Sequence, residues 1–146
     1  MSADTIHVST RIDRPYDEVY EYVSDPAHMP EWASGLSGGL EQDREHGDWV
    51  GMGGPSGDVR VRFAADNAFG VVDHDVTLAD GTVVHVPLRV LRNGQVSEVV
   101  ITLFRAPKMD DEQMAGDRAN MERDLAKLKK VLEAERGGAK KKAAAD

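Results

Sequence analysis

The stretch from Asp110 to Glu135 constrains this chain more than any other. Asp110 followed three residues later by Gln113 reads as a capping box, and Pro107 just upstream closes the preceding segment. At 100° per residue, Met114, Met121, Leu125, Leu128 and Leu132 fall in one narrow apolar stripe. Lys127, Lys129 and Lys130 crowd the last turns, where positive charge suits the helix dipole, and Gly137 and Gly138 are expected to stop the helix. At 1.5 Å per residue such a helix is roughly 39 Å long, about the length of a small domain. It cannot bury its stripe alone. Whatever precedes it must wrap it.

What precedes it is strand-rich. Ile6, Val8, Thr10 and Ile12 alternate with His7, Ser9 and Arg11, the pattern of a half-buried first strand. Pro15 stands where a first helical residue should, with Asp17 and Glu18 in the acidic first turn; Tyr16, Val19, Tyr20 and Val23 give one apolar face. Asp25-Pro26 ends that helix. Residues 27–33 are bracketed by prolines and Gly35, leaving room for a short helical turn carrying Trp32. Glycines crowd 35–57, where two weak strands near 36–43 and 48–53 are expected.

From 58 onward the alternation is clear. Val59, Val61 and Phe63 alternate with Arg60 and Arg62, and Val72, His74, Val76 and Leu78 with Asp73, Asp75 and Thr77. Val84, Val86, Leu88 and Val90 follow, and Ser97, Val99, Ile101 and Leu103 come after Asn93-Gly94. A two-residue Asn93-Gly94 turn pairs Arg92 with Gln95, Leu88 with Val99, Val86 with Ile101, and Arg89 with Glu98. At Asp80-Gly81 a two-residue turn would bury Asp73 and Asp75 beside Val84 and Val86, at a cost of several kcal/mol. A three-residue loop, Ala79 to Gly81 with Gly81 left-handed, buries Val72, His74 and Val76 instead. It is the expected form, with Asp73 and Asp75 free to face Arg62 and Arg60.

The order is then strand, helix, helical turn, about six antiparallel strands and a long helix. Here the chain resembles the SRPBCC superfamily, the helix-grip fold of START domains, polyketide cyclases and dehydratases, and related plant allergens. The resemblance rests on Ile12-Asp13-Arg14-Pro15-Tyr16-Asp17-Glu18-Val19, Val23-Ser24-Asp25-Pro26 with Trp32, Phe69-Gly70-Val71-Val72-Asp73-His74, Thr102-Leu103-Phe104-Arg105 and Asp124-Leu125-Ala126-Lys127-Leu128. It implies an α+β domain over residues 1–136, a curved antiparallel sheet of about seven strands gripping the C-terminal helix around a mostly apolar cavity. Residues 137–146 would form a flexible Lys/Ala-rich tail. The superfamily has no shared catalytic motif, so no catalytic residue carries over.

The expected cavity lining is Val61, Phe63, Val72 and Val76 from two strands, Val86 and Leu88 from the next, and Val99 and Ile101 from the last. Met114, Met121, Leu125 and Arg118 would close it from the helix, with Tyr20 and Trp32 at its entrance; the alternative is plain core packing for the aromatic residues and methionines, and for Arg118 snorkelling at the stripe edge. On a strand His74 points away from both Asp73 and Asp75, so they cannot orient it directly. His74 is either a satisfied core histidine, a ligand's hydrogen-bond partner, or a general acid or base. Binding of a small apolar or amphipathic molecule, lipid- or polyketide-like, is the leading reading. The rivals are a cyclase/dehydratase-type enzyme using His74 and a co-chaperone-like interaction module. The interaction surface, or a homodimer contact, would be the outer-face patch Val83, Pro87, Val100 and Phe104.

Charge and composition narrow the partners. The net charge is −8, and the tail from 137 on contributes +2, so the body carries −10 and repels phosphates; nucleic acid is not expected. There is no cysteine, the five histidines lack metal-binding spacing, and no cofactor or metal is expected. No apolar run reaches the roughly 20 residues of a membrane span, and the N-terminus does not read as a signal peptide. These features together read as a cytoplasmic protein.

Overall fold

The structure is a computed structural model that describes residues 4–36, 38–54 and 57–136. Strand β1 (Thr5–Ile12) leads into helix α1 (Tyr16–Val23), followed by 3₁₀ turns at Pro26–Glu31 and Ser34–Leu36. Next come β2 (Leu40–Gln42), β3 (Trp49–Gly54), β4 (Gly57–Phe63) and β5 (His74–Thr77). Then follow β6 (Val83–Val86), β7 (Leu88–Asn93) and β8 (Val96–Phe104). Helix α2 (Asp111–Val131) runs on into a π-helical turn, Leu132–Arg136. The expected glycine stop and the Lys/Ala-rich tail lie outside the described residues.

The local signals act as their chemistry requires. Pro15 takes the N-cap rather than the first helical position of α1, extended at φ −67° and ψ 156°. At α2 the capping box forms in both directions: Gln113 N donates to Asp110 Oδ1 (2.8 Å), and Asp110 N donates to Gln113 Oε1 (2.9 Å). Those bonds satisfy two of the first-turn N–H groups that a helix leaves open.

The strands form two antiparallel sheets, β1-β8-β7 and β2-β3-β4-β5-β6, rather than one continuous curve of seven. The division falls at Pro87, the single residue between β6 and β7. Proline has no N–H to give to a ladder, so the strand changes partners there. The two sheets remain stitched on either side of this break. Val72 N donates to Leu88 O and Val90 N to Gly70 O, both at 2.8 Å. The Asp73 carboxylate accepts from Leu88 N at 3.0 Å, satisfying the first donor after the proline.

The 78–82 hairpin has the expected three-residue loop. Leu78 N donates to Thr82 O, Gly81 sits at φ +91°, and His74 opposes Val86 while Val76 opposes Val84. The 93–96 hairpin differs from expectation by two residues. Asn93 opposes Val96, Leu88 opposes Ile101 and Arg89 opposes Val100, with Glu98 facing Leu91. Gly94, at φ +62°, occupies the first central position, as a type II′ turn demands; the expected turn would have forced Asn93 left-handed too. A slip of two leaves every side chain on its intended face.

The expected Asp–Arg pairs are also redistributed. Asp73 grips Arg89 in a fork (2.8 and 2.7 Å), Asp75 meets its cross-strand neighbour His85 at 2.6 Å, and Arg60 reaches Asp43 and Asp48, each at 2.9 Å. Asp73 and Asp75 thus pair with the strands on their other side, although Arg62 stands directly opposite Asp75 in the ladder.

Asp73 yields a pH prediction. The Arg89 guanidinium, helped by Leu88 N–H, holds its carboxyl below 3.8 despite the opposing effect of burial. A carboxyl depressed on folding contributes stability above its unfolded pKa and loses it as pH falls through the folded value. Asp73→Asn should therefore be less stable than wild type at pH 6. The gap should narrow below pH 3.8, as read by urea denaturation at several pH values.

Candidate functional site

The inner face is set by register, because directly opposed residues of antiparallel strands share a side. On the three-stranded sheet that side carries Val8, Ile12, Leu88, Val90, Val99 and Ile101, all buried. Leu125, Leu128 and Leu132 of α2 belong to the same apolar cluster, with Val19 and Val23 of α1. Helix α2 therefore packs on β1 and β8. It does not cover the five-stranded sheet to the same degree. There Val61 and His74 at the centre of the inner side are buried, while Trp49, Val59, Phe63, Val76, Val84 and Val86 around them are half-buried. This face is therefore less completely covered than that of the three-stranded sheet.

His74 sits on that face. It is 8% exposed, and its ring lies 5.2 Å from Phe63, tilted by 41°. Its Nδ1 is 3.1 Å from Val72 O. A carbonyl only accepts, so Nδ1 carries the proton. Burial pushes the imidazole pKa below 6.5, only partly offset by the Val72 contact and the nearby Asp73. The neutral ring leaves Nε2 as the accepting nitrogen, and it is not one of the fully enclosed polar atoms that lack a partner. A cleft of about 270 Å³ beside His74 is lined by Arg62, Phe63, Ala64, Asp73, Asp75 and His85. A buried neutral base thus lies close to a charged rim.

The other expected lining residues divide. Val61, Val72, Leu88, Val99, Ile101, Met114, Leu125 and Trp32 are buried, while Tyr20, Phe63, Val76, Val86 and Met121 are half-buried. Arg118 does not enter the interior: its side chain is 54% exposed and lies 4.0 Å from Glu122. Met114, one turn earlier on the stripe itself, is buried, so it is Arg118's place at the stripe edge that leaves it open to water. Of the outer-face patch, Val83 and Phe104 are exposed and Pro87 and Val100 half-buried.

Two features were not read from the sequence. Asn67 organises the loop before β5: its amide donates to Ala65 O and Val71 O and accepts from Phe69 N and Val71 N. Its own N–H donates to Tyr20 Oη at 3.0 Å, fixing Tyr20. Asp124 of α2 accepts from Ser34 N at 3.2 Å, tying the segment just after Trp32 to the helix, and burial pushes its carboxyl pKa up. Asn-x-x-Gly at 67–70 was the only available signal for the first; the second is a tertiary contact with none.

Among the described residues, Asp43, Glu45 and His46 bring possible metal-ligand atoms within 4.8 Å of one another. Asp43 is already engaged by His46 and Arg60, which hold its pKa far below the usual range. No helix among these residues is long and apolar enough to cross a membrane.

Comparison with solved structures shows the same fold. DynU16, from the dynemicin biosynthetic locus, aligns at a TM-score of 0.68 and 17% identity over 90% of this chain and 48% of its own. The chain thus spans about half the length of DynU16. BexL, the di-domain ARO/CYC of the BE-7585A biosynthetic pathway, aligns at 0.66 and 21% over 89% of this chain and 46% of its own. CalU16 from Micromonospora echinospora gives 0.66 and 18% over 89% and 74% respectively. Sequence comparison with curated proteins gives no match. The family profile described as polyketide cyclase / dehydrase and lipid transport matches residues 3–133, in keeping with the SRPBCC resemblance and the helix-grip architecture. The chain belongs to that family.

Proposed function

We propose that this chain binds a small apolar or amphipathic molecule against the inner face of the five-stranded sheet, alongside α2, with His74 as its polar anchor. The observation that carries this reading is the fixed tautomer of His74. With Nδ1–H bound to Val72 O, Nε2 is left as the accepting atom of a ring that lies against Phe63 and opposes Val86 in the ladder. A hydroxyl or N–H on an otherwise apolar ligand would satisfy it, and the apolar walls would supply most of the affinity. The family's description, which spans cyclases and lipid transport, agrees with an apolar cargo or substrate.

The same atom supports a second reading. A neutral imidazole in a water-poor site can accept a proton, which is what a cyclase or dehydratase step on a polyketide-like substrate would require. His74→Gln distinguishes the two, because Gln keeps an acceptor and similar volume but cannot shuttle a proton.

N-phenylnaphthylamine, a neutral fluorescent probe with one N–H donor, suits the test. His74→Leu should weaken its binding by about 0.5–1.5 kcal/mol, with His74→Gln close to wild type. Equal affinity in all three proteins would return His74 to ordinary core packing. Failure of the wild type to bind apolar probes would remove the ligand reading altogether. If a reaction is found, loss of turnover in the Gln variant with retained affinity would establish the enzyme reading.

A further inference from the structure

Strand β1 is an outer strand of the three-stranded sheet, with β8 as its ladder neighbour. Arg105 N donates to Asp4 O at 3.0 Å, which continues that ladder by one pair. Bonded pairs alternate along antiparallel strands, so Ile6, Val8, Thr10 and Ile12 bond to β8, while Thr5, His7, Ser9 and Arg11 turn their N–H and C=O groups outward. Arg11 fits this alternation, because its carbonyl accepts from Lys129 Nζ of α2 at 2.6 Å. Asp13 N donates to Glu133 at 2.8 Å. Helix α2 thus closes the C-terminal end of the edge. The outward groups of Thr5, His7 and Ser9, all exposed residues, have no backbone partner among the described residues.

Proteins guard such edges with charge, proline, a bulge or a very short strand, so that no other chain adds to them. Strand β2, an edge of the other sheet, has three residues, with Glu41 and Gln42 exposed. The side of β7 away from β8 is stitched to Gly70 and Val72. Strand β1 has no such guard. From Thr5 to Thr10 it reads Thr-Ile-His-Val-Ser-Thr, without proline, glycine, Lys, Arg or carboxylate, and it pairs with β8 residue for residue.

We infer that a second copy of this chain adds to the open edge of β1, the two β1 strands running antiparallel about a two-fold axis at His7. The open stretch dictates that register, because Thr5 and Ser9 lie symmetrically about His7. Ser9 then opposes the partner's Thr5, and each outward N–H meets a C=O of the other copy. Two features favour a copy of the chain over an unrelated strand. Arg11, exposed and without an ion pair among the described residues, comes beside the partner's N-terminal end, where the Asp4 carboxylate is exposed. On the outer side of the sheet, Phe104 opposes Thr5 and Val100 opposes Ser9. The pairing sets Val100, Ser9, the partner's Thr5 and the partner's Phe104 in one row. The small Ser and Thr side chains leave room for the exposed Phe104 ring to lie over them towards Val100. This inference is independent of the ligand reading, since it leaves the inner face and His74 untouched.

Both copies are acidic, so association is measured at about 0.15 M salt, where a Debye length of roughly 8 Å confines their repulsion to short range. Sedimentation equilibrium of the full chain should show monomer and dimer in exchange. Ser9→Pro should be monomeric at the same concentrations, because proline removes an N–H that bonds only across the axis. Ser9→Thr keeps that N–H and should remain dimeric. Amide hydrogen exchange of the wild type, followed by NMR, needs no substitution and decides the matter if Ser9→Pro does not fold. Between dilute and concentrated protein the amides of Thr5, His7 and Ser9 should slow about tenfold, while the open first-turn amide of Asp111 keeps its rate. A wild type that stays monomeric at millimolar concentration overturns the inference. So does a dimer that survives Ser9→Pro, or one whose Thr5, His7 and Ser9 amides exchange equally fast at both concentrations.

Discussion

Gly70→Ala should cost at least about 3 kcal/mol of folding stability, measured by urea denaturation. Gly70 sits at φ +72°, where an L side chain is strained, and a Cβ built there would lie 2.0 Å from Val90 O and 3.2 Å from Tyr16 Cε1. The first of these is a backbone atom within a ladder. Val90 also donates its N–H to Gly70 O and opposes Val99 in the central strand. Neither side can retreat without opening the stitch between the two sheets. Gly81→Ala is the control. Gly81 is also left-handed, at φ +91°, but a Cβ there meets nothing within 4 Å, so only backbone strain of about 1 kcal/mol should appear. Similar losses in the two variants would show that the close approach at Gly70 relaxes freely.

Leu125→Ala should lower stability by about 2–5 kcal/mol. Leu125 is 1% exposed and lies in the cluster with Val99, Ile101, Leu128 and Leu132. Removing its three outer carbons leaves a hole bounded by helix and sheet, and both are held by their own hydrogen bonds. Met121, one turn earlier, is half-buried. Met121→Ala should cost less stability but alter affinity for an apolar probe if the half-covered region is the binding face. A Leu125→Ala protein as stable as wild type would mean that α2 is not gripped as described.

The sequence made the architecture legible because its signals are redundant. The α2 stripe, the Asp110 and Gln113 caps and the Pro15 and Pro26 boundaries each depend on only a few neighbouring residues. The 78–82 register was legible for a different reason: the wrong choice would bury Asp73 and Asp75, a penalty large enough to decide it. At 93–96 no such penalty exists. A slip of two keeps Leu88, Val90, Val99 and Ile101 inside, so only the turn geometry of Gly94 decides, and Asn-Gly allows more than one placement.

The candidate site was partly legible. His74, Phe63 and Val86 come together because their alternation places them on one face. Arg118 does not join them: it lies at the edge of the α2 stripe, where a long charged side chain turns to water and to Glu122.

The break at Pro87 has a mechanical consequence. Bending stiffness in a sheet comes from uninterrupted ladders, and here the ladder is interrupted between the half that carries α2 and the half that carries His74. What joins them is a short set of bonds: the lead-in from Gly70 to Val72 along β7, the Asp73 carboxylate astride Leu88 and Arg89, and Thr102 N–H donating to Pro87 O. Any change of curvature in the five-stranded half is thus concentrated at this joint, away from the packed Leu125, Leu128 and Leu132.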